Sequence, residues 1–288
     1  MIISVASGKG GTGKTLVATS LALSLKDSEK VQLLDCDVEE PDAHIFLKPV
    51  INCREPVFIP VPEVNEQKCT YCGKCAEVCA YHAIAVLKGH VLVFSQLCHG
   101  CGACSHLCPE KAICETKREM GIIESGRADG VDFVQGKLTI GEAMPTPVIR
   151  KVKEKARRDS VVIIDVSPGT SCPVVESIKD SDFCLLVTEP TPFGLNDLVL
   201  AVETARKLDI PCGVVINRAG VGDTRVEKYC IEERIPIMLT IPMNSGIARL
   251  YSKGITLAEG LPNWKKDFVR LFEHIGEVVH EGTCSFKR

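Results

Sequence analysis

The chain has 288 residues, of which 45% are hydrophobic and 25% charged, with a formal net charge of −3. That balance suits one or two domains with a real core and argues against a general nucleic-acid binder. Sixteen cysteines behind an N-terminus that leaves no room for a secretory leader point to metal or redox chemistry in the cytoplasm, not to structural disulfides.

The first apolar run, Met1 to Ala6, reads as a buried strand. It leads into Gly8-Lys9-Gly10-Gly11-Thr12-Gly13-Lys14-Thr15, a G-x-x-x-x-G-K-[ST] phosphate loop. Leu16, Val17, Ala18, Leu21, Ala22 and Leu25 then recur at helical spacing, so the loop opens a helix. Glycines there let backbone N–H groups point at phosphate oxygens, and the helix N-terminus adds partial positive charge. Lys14 is expected on the β- and γ-phosphates and the Thr15 hydroxyl on Mg²⁺. Lys9 is not required by an ordinary phosphate loop. A buried ammonium without a partner is costly, so Lys9 is expected to meet an anion.

Val31 to Asp35 reads as the second strand of a βαβ unit, ending in Asp35-Cys36-Asp37. Carboxylates at the C-terminal end of a strand beside a phosphate loop lie where open parallel sheets bind ligands. Asp35 is expected to be structural and Cys36 a small buried residue. Residues 49–62, with Pro49, Pro56, Pro60 and Pro62, read as a connecting segment.

Cys69, Cys72, Cys75 and Cys79 are followed by Cys98, Cys101, Cys104 and Cys108, with Pro109 next. Both runs have bacterial ferredoxin spacing, and the surrounding residues form an internal repeat. The fourth cysteine of each run lies too far along the chain for its own cubane and crosses to the other. One [4Fe–4S] cluster is thus expected on Cys69, Cys72, Cys75 and Cys108, and a second on Cys98, Cys101, Cys104 and Cys79. Two interlocked runs of four disfavour the alternative of zinc sites. His82, His99 and His106 are expected to pack or face solvent, and Cys114 falls outside the pattern.

Residues 115–140 carry four glycines between short apolar pairs and read as hairpins or a loop excursion. Lys151, Lys153, Lys155, Arg157 and Arg158 read as the basic face of a solvated helix, with docking of an acidic partner the sharper alternative. Val161 to Asp165 is a β-branched strand ending in a Walker B-like carboxylate, which places Asp165 at Mg²⁺. Phe183 to Thr188 is a further strand, with a helix from about Asn196, and Gly213 to Arg218 another. Residues 264–281 form a last amphipathic helix of mixed charge, suited to docking on its own sheet, and membrane binding is not expected.

The K-G-G-x-G-K-T form of residues 9–15 resembles the deviant Walker A motif of the MinD/ParA/Mrp/NifH-like ATPases, and Asp165-Val166-Ser167-Pro168-Gly169 is close to their D-x-x-P-G switch. The resemblance covers essentially the whole chain. It implies that Lys9 reaches a partner's nucleotide in an ATP-dependent homodimer, that Asp37 orients the attacking water near Mg²⁺, and that Asn217, with Arg218 beside it and Pro242 in a second loop, sits at the base. The fold expected is α/β, a doubly wound, mostly parallel sheet at 1–60 and 116–288, with a small α+β ferredoxin-like domain inserted at 61–115. The function expected is ATP hydrolysis coupled to electron transfer toward a redox or iron–sulfur client protein. Alternatives are an iron–sulfur carrier or scaffold and a redox-sensing regulatory ATPase. The carrier reading lacks the C-x-x-C that Mrp-type relatives use, because Cys284 stands alone.

Overall fold

The computed structural model describes residues 1–285, with side chains to residue 280. β1 (Ile2–Ala6) runs into the glycine loop, and α1 (Lys14–Leu25) opens on the motif lysine. β2 (Val31–Asp35), α2 (Ala43–Leu47) and the long β3 (Val50–Val64) follow. Residues 65–112 form a small lobe with α3 (Lys74–Glu77), a hairpin of β4 (Ile84–Leu87) and β5 (His90–Val93), and α4 (Ala103–His106). The chain returns through β6 (Ile113–Ala128), β7 (Val131–Leu138), α5 (Thr146–Lys153) and β8 (Val161–Asp165). It then alternates through α6 (Cys172–Ile178), β9 (Phe183–Thr188), α7 (Pro192–Lys207), β10 (Cys212–Ala219), α8 (Arg225–Glu232) and β11 (Ile237–Pro242). Three helices close the chain, α9 (Ser245–Ser252), α10 (Leu257–Gly260) and α11 (Pro262–Ser285).

One nine-stranded sheet has the order β11-β10-β9-β1-β8-β2-β7-β6-β3. The strands from β11 to β7 are mutually parallel, and β6 and β3 add an antiparallel edge. Parallel strands buried on both faces need continuous apolar runs, which β1, β8 and β9 supply. One face is covered by α1 and α11 through Leu21, Leu25, Phe268, Leu271 and Ile275. The other is covered by α5, α6 and α7 through Val148, Ile149, Val174, Ile178, Leu198 and Val202. The apolar stripe of α11 is therefore spent on the core. Among the described residues no helix is long and apolar enough to cross a membrane.

The proline-rich segment is not a connector. It is β3, paired with β6 from Val50↔Arg127 to Val64↔Ile113, and the two make a ribbon that carries the lobe. β3 is the last strand of the sheet, where a residue without an N–H is tolerated on the open side. Pro56, Pro60 and Pro62 share one parity, so the ladder runs through the residues between them, and the prolines protect the edge from pairing with other chains. The 60/61 and 115/116 boundaries expected from composition fall inside this ribbon, in β3 and β6. Residues 115–140 are the β6–β7 hairpin, turned at Asp129 and Gly130, both with positive φ.

Two helix limits also shift. α7 begins at Pro192, because Thr191 caps it by accepting the Gly194 N–H at 3.0 Å and proline suits the first turn. The basic helix ends at Lys153, and several of the expected cations meet groups of the chain itself. Lys153 donates to the carbonyls of Glu176 and Lys179 (2.8 and 2.6 Å) at the C-terminal end of α6, Lys155 pairs with Glu55, and Arg157 with Asp132.

Candidate functional site

The register places the motif residues at one edge. Val5 pairs with Asp165, and Asp165 with Asp35, so two carboxylates end their strands level with the start of the glycine loop. Within the loop, Gly13 adopts φ 95°, and a Cβ there would lie 2.4 Å from Asn217 Nδ2. A Cβ on Gly8 would lie 2.2 Å from the Asp197 carbonyl oxygen of α7. Both positions admit only glycine, the first for backbone conformation and contact, the second for contact alone. Lys14 and Thr15 are buried at the head of α1.

Asp165 is fully buried, and neither of its carboxylate oxygens has a hydrogen-bond partner. Burial pushes its carboxyl up to about 7, against the pull of the Lys14 ammonium. Burial likewise raises Asp37 to about 6, again opposed by Lys14. Asp35 is held well above the usual carboxylate range by burial and by Asp165. Its oxygens accept the N–H groups of Asp37 and Ala43, each at 3.1 Å, and so shape the loop between β2 and α2. That loop carries Asp42, to which the sequence reading gave no role. Asp35, Asp42 and Asp165 each present an oxygen within 4.8 Å of the others, a donor set of hard anionic oxygens suited to a divalent cation. Asp37 is close by but is not one of the three.

This frustration has a measurable consequence. A carboxyl whose folded pKa is raised favours the fold when protonated. Its contribution is present below the unfolded value near 4 and is lost as pH rises through about 6 to 7. Asp165→Asn should therefore stabilise metal- and nucleotide-free protein more at pH 8 than at pH 5, by an amount on the order of 2–4 kcal/mol read from melting curves. Parallel melting curves for the two proteins across that range would refute the assignment.

Beside the loop lies a cavity of about 660 Å³ lined by Gly11, Gly13, Asn217, Arg218, Pro242 and Tyr251, among others. It brings the three residues expected at the base together. Asn217 Nδ2 donates to the Thr12 carbonyl at 2.7 Å and Oδ1 accepts the Arg218 N–H at 2.9 Å, leaving one amide hydrogen free of these bonds. Arg218 has φ 55° at an irregular end of β10, which turns its guanidinium back to the Gly11 carbonyl at 3.0 Å.

Lys9 does meet an anion, and within its own chain. Its ammonium pairs with Glu189 Oε1, while Arg218 Nη1 holds Glu189 Oε2 at 3.0 Å. Burial pushes Glu189 up, but Lys9 and Arg218 outweigh it and hold the carboxyl below its usual range. Glu189 directly follows the last residue of β9, one step beyond the place that Asp35 and Asp165 hold on their strands. That strand-end carboxylate was the available signal for it.

The lobe contains two cavities. One is lined by Cys69, Cys72, Cys75 and Cys108, the other by Cys79, Cys98, Cys101 and Cys104. The repeat extends to the backbone, with Tyr71 and Gly100, Gly73 and Gly102, and His82 and Lys111 all at positive φ. It extends to the sulfurs as well. Cys69 Sγ accepts the Tyr71 N–H and Cys98 Sγ the Gly100 N–H, both at 3.4 Å, while Cys79 and Cys108 accept those of Ala83 and Ala112 at 3.2 and 3.3 Å. N–H groups aimed at sulfur favour a thiolate or a cluster ligand over a packed thiol. His99 stacks on Tyr81 with ring centroids 3.5 Å apart, and Cys114 Sγ lies 3.5 Å from the Glu63 carbonyl oxygen. The side chain of Cys284 lies outside the described residues.

Comparison with known proteins identifies the nucleotide-binding fold. The family described as CobQ/CobB/MinD/ParA nucleotide binding domain matches residues 3–257. An uncharacterized protein of Methanocaldococcus jannaschii is 32% identical over 97% of this chain and 98% of its own. A protein of Anopheles gambiae named a cytosolic Fe-S cluster assembly factor, Nubp2 homolog, is 24% identical over 96% of this chain and 97% of its own. Among solved structures, the septum site-determining protein MinD of Pyrococcus horikoshii, complexed with Mg-ADP, superposes with a TM-score of 0.61 at 18% identity, covering 98% of both chains.

Proposed function

The chain belongs to the CobQ/CobB/MinD/ParA nucleotide-binding family, and on that premise we propose that it binds and hydrolyses ATP with Mg²⁺ and couples this cycle to electron transfer through two [4Fe–4S] clusters. The observation that carries the reading is the sorting of eight cysteines into two cavities, each lined by one crossed quartet, on a ribbon continuous with the nucleotide sheet. In each quartet the cysteine sulfurs would hold the cluster, which supplies one-electron chemistry when bound. The backbone N–H groups from Gly10 to Thr15 and the Lys14 ammonium would bind phosphate. Thr15, Asp165 and Asp37 would hold Mg²⁺ and orient water, with Asp42 alongside. Asn217, Arg218 and Pro242 would line the base.

Lys9 would serve a second copy of the chain only after leaving Glu189. Glu189→Gln should weaken that internal pair and lower the concentration of a non-hydrolysable MgATP analogue needed for dimerisation about three- to tenfold, read by sedimentation. An unchanged midpoint would mean that Glu189 does not restrain Lys9.

The test of the whole reading is the midpoint potential of the clusters with MgADP and with the MgATP analogue. A shift of tens of millivolts supports coupling, and identical potentials refute it. The second reading, an iron–sulfur carrier, is favoured by the assembly-factor relative. It predicts that cluster iron moves to an apo-ferredoxin acceptor on mixing, whereas retained iron favours electron transfer.

A further inference from the structure

A row of polar residues crosses the sheet beneath the nucleotide site. The register runs Asp165↔Asp35, Asp35↔Gln135, Gln135↔Glu124 and Glu124↔Arg54, over β8, β2, β7, β6 and β3. Residues opposite one another in a sheet project from the same face, so these side chains form one line. Asp165, Asp35, Gln135 and Glu124 are all at least 97% buried. Burying four such groups in a line is costly, and a core of the same shape could be built from hydrophobic residues. A stability role alone does not account for them.

The contacts along the row are specific. Gln135 Nε2 donates to Glu124 Oε2 at 2.6 Å. Glu124 Oε1 meets Arg54, and Oε2 also meets Lys137, each at 2.8 Å. Burial pushes Glu124 up, but Lys137 and Gln135 outweigh it and keep the carboxyl below its usual range. At the nucleotide end, Asp35 holds the backbone of Asp37 and Ala43. Gln135 stands between two carboxylates, and its own Oε1 is buried without a partner. Its Nε2 donates to Glu124 here, and the register sets the same residue opposite Asp35.

We propose that Gln135 and Glu124 are positioning residues that pass the nucleotide state from Asp165 and the Asp37 loop to the ribbon bearing the cysteine lobe. Asp35 accepts the N–H groups of Asp37 and Ala43, so a nucleotide-driven shift of that loop moves Asp35, which lies between Asp165 and Gln135 in the register. Asp35 in turn biases the Gln135 amide, whose turning strengthens or releases Glu124. Glu124 anchors Arg54 of β3 and Lys137 of β7, so the ribbon's base is tied at both sides to the state of one amide. This inference rests on the coupling reading above.

The test is hydrogen–deuterium exchange of residues 50–64 and 113–128 in the cluster-loaded protein, with MgADP and with a non-hydrolysable MgATP analogue. Wild type should show a difference of at least about threefold in ribbon exchange between the two nucleotides. Gln135→Leu, which keeps the volume and removes the amide, should show none, while binding nucleotide within about twofold of wild type and keeping its iron. Glu124→Gln keeps the shape and loses the ion pairs, and should show a reduced difference, which guards against a folding defect in the first variant. A nucleotide response in Gln135→Leu equal to wild type overturns the inference and leaves the coupling reading intact. A wild type that hydrolyses ATP with no ribbon response overturns both.

Discussion

Cys108→Ala should give the same spectrum as Cys72→Ala, and Cys79→Ala the same as Cys101→Ala. Along the chain Cys108 neighbours Cys104 and lies far from Cys72, so an uncrossed arrangement predicts the opposite grouping. The crossed grouping follows from which sulfurs share a cavity. Each single variant should lose iron from one site only, toward about four per chain from about eight when the damaged cluster is lost entirely. The surviving cluster keeps its own electron paramagnetic resonance signature, and that signature should be identical within each pair of variants and different between pairs. If Cys108→Ala matches Cys101→Ala instead, the crossed assignment is wrong. If none of the four changes iron content, the lobe is not an iron–sulfur module.

Much of this was readable from local pattern, because the chemistry requires short spacings. A phosphate loop must have its glycines and lysine within eight residues, and a cubane quartet its first three cysteines within seven. The strand-end carboxylates Asp35 and Asp165 were legible for the same reason, each closing an apolar run. What sequence hid was pairing across long separations. β3 reads as a connector because three prolines forbid a helix, and only its place at the sheet edge, beside a strand some 60 residues away, makes a strand of it. Glu189 meets Lys9 across 180 residues. Asp42 joins the carboxylate group only once Asp35 folds the intervening loop. Gln135 and Glu124 look like ordinary polar positions of a hairpin until register sets Gln135 opposite Asp35 and Glu124 opposite Gln135. Each of these depends on tertiary contact that no local pattern of residue types reports.

Lys14→Ala should abolish hydrolysis while leaving both clusters in place. The lysine is buried at the head of α1, beside carboxyls that its charge pulls down. Its loss removes the fixed cation aimed at the phosphates, an electrostatic contribution worth at least about a hundredfold in rate. It also leaves Asp37 and Asp165 without their nearest opposing charge, so the metal-free variant should be less stable at pH 8 than at pH 5 by a wider margin than wild type. The lobe is held by its own backbone bonds to sulfur and by the β3–β6 ladder, neither of which involves Lys14. Iron content and cluster spectra should therefore match wild type, and the cluster potentials should become the same in MgADP and in the MgATP analogue. Turnover at the wild-type rate would sink the nucleotide assignment. Loss of iron along with turnover would mean that the glycine loop and the lobe are one structural unit. Loss of turnover with a preserved nucleotide-dependent potential would mean that binding alone drives the coupling, with the lysine serving only the chemical step.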